Sequence, residues 1–323
     1  MELLTYINNL HRTSPRVYSL VRKLFVPVRM TMTDCQRERW LAYYYHGRTG
    51  RWPDYSNPKV FTEKILWYSL YYDNADFTRI SDKVLFKDYI NEVLGSSEYT
   101  ASLYGAWTDV SDIDFAVLPD SFVLKSNCSS ESHNIILVPD KTKLDFAWAL
   151  NEMKSWLDFR NTEVDGFCRA YYEVTPKIFA EEFLPQADVD YKFYCFDGEP
   201  CYVNVLRDRF ENGKVKVAAI SFFDMNWNPV AGRPGRENCD DVCVPEHFDE
   251  MISLARKVSE GIPFVRVDFY ESGNQVYIGE LTFNPAAGLS LYEPSSFDDE
   301  MGARFCLPLK TPLGRKHRPD LGI

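Results

Sequence analysis

Two carboxylates twelve residues apart, Asp268 and Glu280, have Arg266 two residues before the first and Thr282 two residues after the second. Val265 to Tyr270 and Val276 to Leu281 are rich in β-branched and aromatic residues, and Ser272-Gly273-Asn274 between them is a turn signal, so the segment predicts a hairpin. With an odd number of residues in the turn, the two-residue period of a strand puts Arg266, Asp268, Glu280 and Thr282 on one face. Val265, Val267, Phe269 and Leu281 then point into apolar packing. Two hard oxygen donors on a rigid hairpin suit Mg²⁺, which takes few protein carboxylates and completes its octahedron with water and nucleotide phosphates. The arginine beside them suits developing negative charge. An exposed hairpin with charges on its solvated side is the competing reading.

Several cationic side chains lie at the ends of other predicted strands. Phe122 to Lys125 reads as a short strand ending in a lysine, Ser126 to Asn134 as a polar loop, and Ile135 to Val138 as the returning strand. Such a lysine reaches nucleotide phosphates while the loop's amides and hydroxyls, Ser129 and Ser130 among them, cover them. The loop holds no glycine, and lysines at strand ends are more often simply solvated. Arg207 and Arg209 lie where a later strand ends, placed to hold a phosphate and a substrate carboxylate. Arg233 and Arg236, in the loop Gly232-Arg-Pro-Gly-Arg236, are placed to meet an anionic acceptor.

The elements that must carry these groups are legible from periodicity. An amphipathic helix precedes the hairpin, with Pro245 near its start, Phe248, Met251, Ile252, Ala255 and Val258 on one face, and Gly261 and Pro263 ending it. Asn57 to Lys64 opens a helix with Thr62 as its cap, and a second follows Ser81-Asp82-Lys83. Lys143 to Leu157 reads as helical, capped by Asp140 or Thr142. Lys177 to Leu184 reads as a strand, and Asp190 to Leu206 as two strands joined at an Asp197-Gly198 hairpin turn. There is no internal repeat.

Composition bounds the rest. At 323 residues, 45% hydrophobic and 15% aromatic, the chain can bury a substantial core. A formal charge of -11 supplies no global positive field for nucleic acid, although local lysines and arginines still suit ATP. Eight scattered cysteines without a Cys-x-x-Cys pair fit reduced thiols in a cytoplasmic protein. No apolar run is long enough to span a membrane. Residues 1–30 are locally basic, with Arg12, Arg16, Arg22, Lys23 and Arg29 among apolar residues, which reads as a packing helix or as peripheral contact with the inner face of a membrane.

The order of the pieces resembles an ATP-grasp enzyme, and specifically the TupA-like ATP-grasp family linked to teichuronopeptide and capsule biosynthesis. The residues carrying the resemblance are Asn57-Pro-Lys-x-Phe-x-Glu-Lys-Ile65, Ser81-Asp-Lys83, Leu118-Pro-Asp-x-Phe-Val-Leu-Lys-x-Asn127, Ala180-Glu-Glu-Phe-Leu184, Asp190-Tyr-Lys-Phe-x-Cys-Phe-x-Gly-Glu-Pro200, Asn226-Trp-Asn-Pro229, Phe264-Val-Arg-Val-Asp-x-Tyr270 and Gly279-Glu-Leu-Thr-Phe283. The resemblance implies an α+β fold in which two lobes clasp ATP, with a helical N-terminal extension over 1–54. It implies an N-terminal subdomain over 55–115, a central lobe over 116–180 and a C-terminal lobe with the metal site over 181–323. Lys83 and Lys125 match phosphate contacts, Glu181 with Phe183 and Leu184 the adenine-binding edge, and Asp190 a ribose-binding acid. Arg266 matches a transition-state contact, and Asp268 and Glu280 match Mg²⁺ ligands. Thr282 stands where many ATP-grasp enzymes place a metal-binding asparagine, and Ala286 where a glycine is frequent. Lys192 and Asn284 join Arg233 and Arg236 as substrate-binding candidates.

The activity implied is ATP-dependent ligation of a carboxylate to an amine through an acyl phosphate. The family's context makes the substrates a glycan carboxylate and an amino acid or peptide amine. Two rival readings stand beside it. Asp112-Ile113-Asp114 and Asp188-Val189-Asp190 are triplets of the kind that hold a sugar nucleotide's metal in glycosyltransferases, although neither directly follows an apolar strand. A glycine-poor loop after Lys125 is also what a catalytically silent ATP-binding protein would carry.

Overall fold

The computed structural model describes residues 32–128, 134–157, 169–171, 174–185, 189–207, 210–211, 214–215 and 219–311. The helices are α1 (Asp34–Thr49), α2 (Phe61–Tyr71), α3 (Phe77–Ser81), α4 (Leu85–Leu94), α5 (Phe146–Leu157), α6 (Phe248–Ser259) and α7 (Ser296–Arg304). The strands are β1 (Leu103–Trp107), β2 (Phe122–Ser126), β3 (Ile135–Val138), β4 (Ile178–Glu181), β5 (Val189–Phe196), β6 (Glu199–Arg207), β7 (Phe210–Glu211), β8 (Lys214–Val215), β9 (Ala219–Asp224), β10 (Pro229–Gly232), β11 (Phe264–Ser272) and β12 (Gln275–Thr282). No described helix is long and apolar enough to cross a membrane.

Two antiparallel sheets organise the chain, one ordered β1-β4-β2-β3 and the other β10-β9-β6-β5-β11-β12. Each has its own core. Leu124, Ile136, Ile178 and Ala180 of the smaller sheet pack on Ala149, Met153 and Trp156 of α5. On the larger sheet, Phe193, Val203, Val205, Val267 and Phe269 alternate toward α6, which answers with Phe248, Met251, Leu254, Ala255 and Val258. Its opposite face is apolar only at one end, where Phe61 of α2 meets Phe264 at 5.1 Å between ring centres and Phe297 of α7 meets Tyr202 at 4.8 Å. At the other end that face is polar. This half-apolar, half-polar face is what gives the site its floor.

The expected α6 and the β5–β6 turn appear as read: Asp197 and Gly198 both have positive φ, 50° and 79°, as a tight hairpin requires. Several boundaries differ. Thr62 does not cap α2 but sits inside its first turn, where its amide and hydroxyl both donate to the buried Asp298 at 2.9 and 2.8 Å. Asp140 caps only a short 3-10 turn over Lys141–Lys143; α5 starts later, with the Trp148 amide donating to Asp145 at 3.0 Å. The strand expected over 177–184 ends at Glu181, because Glu182 turns away to pair with Ser102. The basic segment 1–30 lies outside the described residues.

The β11–β12 hairpin meets the condition for a shared polar face by a different route. Its turn has two residues, Gly273 and Asn274, with Ser272 opposite Gln275 and Phe269 opposite Ile278. The register then shifts, so that Asp268 faces Glu280 and Arg266 faces Thr282. Gly279 is the extra residue of this bulge, and one extra residue reverses the side of everything beyond it. A Cβ on Gly279 would lie 2.3 Å from the Tyr270 ring, so glycine is also what allows the close approach.

Candidate active site

Because strands alternate, the register of the larger sheet lines up two rows of side chains on the polar face. One row runs Glu280, Asp268, Lys192, Asn204, Phe222 across β12, β11, β5, β6 and β9. The next runs Thr282, Arg266, Tyr194, Tyr202. Asp268 is fully buried and held by Arg266, whose Nε and Nη2 each donate to it at 2.6 Å, and by the Lys192 ammonium. Arg266 Nη2 also donates to Glu280 at 2.9 Å and to the Thr282 hydroxyl at 3.2 Å. Lys192 lies 3.4 Å from Asp190, and Lys83 lies 3.1 Å from the outer oxygen of Glu280.

These contacts set the protonation states. Burial opposes ionisation of Glu280, but Lys83, Arg266 and Lys192 together hold it well below the ordinary carboxylate range. For Asp268 burial wins, and its pKa is raised in spite of Arg266 and Lys192. Burial also works against the Arg266 charge, which Asp268 and Glu280 outweigh.

The smaller sheet contributes a second charged cluster. Lys125 on β2 pairs with Glu181 on β4 at 2.5 Å, and Lys87 on α4 pairs with the same carboxylate at 2.8 Å. Burial raises the Glu181 pKa, yet the two lysines bring it down to about 2. Lys87 is a residue that the sequence reading missed; it lies in the first turn of α4, four positions after Lys83.

Lys83 and Lys125 come from different elements, and a buried pair locks them together. Asp82 Oδ1 accepts the amides of Val84 and Leu85, at 2.8 and 3.3 Å, setting the entry to α4. Its other oxygen accepts from Asn127 Nδ2 at 2.8 Å, just beyond β2. Asn127 also donates to Thr175 O and accepts from the Lys177 amide, at 2.9 and 2.7 Å, so α4, β2 and the approach to β4 meet at one amide side chain.

The structure thus brings together Lys83, Asp190, Lys192, Arg266, Asp268, Glu280 and Thr282, with Lys125 and Glu181 joined through the latch. Phe183 and Leu184 lie just beyond β4, after Glu182, partly buried. Asn284 is buried at the start of a 3-10 turn, Pro285–Gly288, in which Ala286 and Ala287 both have positive φ, 48° and 52°. Arg207 is not brought in. As an odd-numbered β6 residue it shares the face of Val203 and Val205, and it pairs with Asp241 at 3.1 Å. Arg236 is exposed on its loop, whereas Arg233 is half-buried against Phe222 and Tyr292. Ser129, Ser130 and Arg209 lie outside the described residues. Ile113, the centre of the first acidic triplet, is buried in the smaller sheet's core, and no group of three or more metal-ligating side chains occurs among the described residues.

Two antiparallel-sheet lobes, with lysines at the smaller sheet and the entry to α4 and paired carboxylates on the larger sheet, define an ATP-grasp fold. The chain belongs to the TupA-like ATP-grasp family, which it matches over residues 63–306. Among solved structures it is similar to D-alanine–D-alanine ligase from Bacillus anthracis, at 17% identity over 76% of this chain and 70% of that one, with a TM-score of 0.42. It is also similar to phosphoribosylamine–glycine ligase from Thermotoga maritima, at 12% identity over 64% of this chain and 48% of that one, with a TM-score of 0.41. Among curated proteins, none matches the chain.

Proposed function

We propose that the protein is an ATP-dependent carboxylate–amine ligase that works through an acyl phosphate and joins an amino acid or peptide amine to a uronic-acid-type glycan carboxylate. The observation that carries the ATP half is the row Glu280, Asp268, Lys192 with Arg266 and Lys83 closing on it. Its carboxylates are now paired internally, so they and the cations around them can exchange partners for a magnesium nucleotide without an unpaired buried charge. The donor set fits such a metal: two carboxylates and a hydroxyl, all oxygen, leaving positions for water and phosphate. When bound, Mg²⁺ would supply charge neutralisation at the transferring phosphate.

The remaining roles belong to the chain. Lys83 and Lys125 would neutralise phosphate charge, and Arg266 would stabilise first the transferring phosphoryl group and then the tetrahedral oxyanion. Carboxylates are poor acyl donors, so the substrate oxygen first takes the γ-phosphoryl group as its bond to ADP breaks. The amine nitrogen then attacks the carbonyl carbon; the C–N bond forms, the C–O bond to phosphate breaks, and a proton leaves the nitrogen. The glycan half rests on the family's association. ADP release that requires both a uronic acid and an amine supports this function; no ADP release with any such pair, hydroxylamine included as the amine, would sink it.

A further inference from the structure

Beyond Lys192, this face of the larger sheet carries buried polar atoms with no hydrogen-bond partner among the described residues. Asn204 is 3% exposed and Tyr194 is 0% exposed, yet Asn204 Oδ1 and the Tyr194 hydroxyl have no hydrogen-bond partner among the described residues. The buried Nε of Arg233 has none either. Each such orphan costs about 1–3 kcal/mol, so three in one region call for an explanation.

They do share one region. Asn204 stands opposite Lys192 on one side and Phe222 on the other, and Tyr194 stands opposite Arg266. Tyr194, Phe222 and Tyr292 form a continuous aromatic wall, with ring centres 5.7 and 5.5 Å apart. The Arg233 guanidinium lies over two of these rings, 5.9 Å from Phe222 and 5.8 Å from Tyr292. Reciprocal backbone bonds between Gly232 and Glu293, at 2.8 and 3.2 Å, fix that position. A guanidinium held beside aromatic rings is pre-organised to grip a carboxylate. Neighbouring strands are about 4.8 Å apart, which puts the Asn204 backbone roughly 10 Å from Asp268, the span of a small molecule.

We propose that this region of the sheet face takes the amine-bearing substrate and that this substrate carries a carboxylate of its own: Arg233 holds the carboxylate, while Asn204 Oδ1 and the Tyr194 hydroxyl hold the nitrogen facing Arg266. The assignment rests on the ligase reading above and adds to it which residues select the amine and by which group. An amine lacking the carboxylate leaves Arg233 unanswered, and an acid lacking the amine leaves Asn204 unanswered.

Thermal shift on the full chain tests it, with Mg²⁺ and a non-hydrolysable ATP analogue present and each common α-amino acid compared with its α-carboxamide. At least one amino acid raises Tm by about 2 °C or more while its carboxamide does not. R233M abolishes that response and R233K keeps part of it; the response to the nucleotide reports that each variant is folded. If no amino acid shifts Tm, if carboxamides serve equally, or if R233M responds as the wild type does, the proposal falls. If the ATP analogue itself gives no shift in the wild type, it is the ligase reading that fails.

Discussion

Asp268 faces Glu280 across β11 and β12 only because Gly279 stands between Ile278 and Glu280 as a residue without a partner. In a ladder without the bulge Gly279 would itself stand opposite Asp268, and Glu280 and Thr282 would turn toward α6 and Leu281 toward the cleft. Substituting it with alanine keeps the count and requires only that Tyr270 swing aside. Gly279→Val, whose branched side chain meets the Tyr270 ring and so opposes the bulge, is expected to lower both ADP release and stability, and Gly279→Ala to cost far less of either. Steady-state kinetics and urea unfolding of the two variants check this ordering.

The two carboxylates differ in what they support. Asp268→Ala leaves Arg266 and Lys192 without their buried partner and is expected to cost about 3–5 kcal/mol of stability. Glu280 is more open, its side chain 27% exposed, and Glu280→Ala is expected to cost clearly less. Both lose turnover. Equal unfolding free energies for the two variants would contradict this account.

Ala286 and Ala287 occupy consecutive left-handed positions, a conformation that costs an L-residue about 1–2 kcal/mol relative to glycine, partly offset by glycine's freer unfolded chain. Replacing either with glycine is expected to raise stability by about 0.5–1 kcal/mol. A fall in Tm for both variants would show that the turn is held by contacts that the methyl groups make.

The pH dependence follows from Glu181. Its pKa is depressed from 4.5 to about 2, so its contribution to stability is fully present above pH 4.5 and disappears as pH falls toward 2. That contribution is on the order of 3 kcal/mol. Lys87→Met removes one of the two cations, moves the Glu181 pKa back toward its ordinary value, and shifts the acid loss to higher pH. Unfolding midpoints between pH 2 and 6 read this out; an unchanged acid limb in Lys87→Met would refute it.

Alternation made most of the larger sheet legible. Asp190, Lys192 and Tyr194 on β5 follow the same period as Tyr202 and Asn204 on β6, so the polar face is written in residue spacing. Arg207, five residues after Tyr202, falls on the other face by that same rule, and reading it as a strand-end cation ignored the parity. Type and spacing do not carry the bulge at Gly279 or the Asp82–Asn127 bond, which joins residues 45 positions apart. Thr62 failed as a cap because a long-range partner, Asp298, claimed both its hydrogen-bonding groups.

The Asp82–Asn127 latch fixes Lys83 relative to Lys125. It is wholly buried and tied by several hydrogen bonds, whereas Lys83 and Glu280 meet through one ion pair with side chains 19% and 27% exposed. Water competes for the second joint and not for the first. The latch therefore keeps Lys83 and Lys125 at a fixed spacing, and the Lys83–Glu280 pair is the contact that an entering anion can exchange.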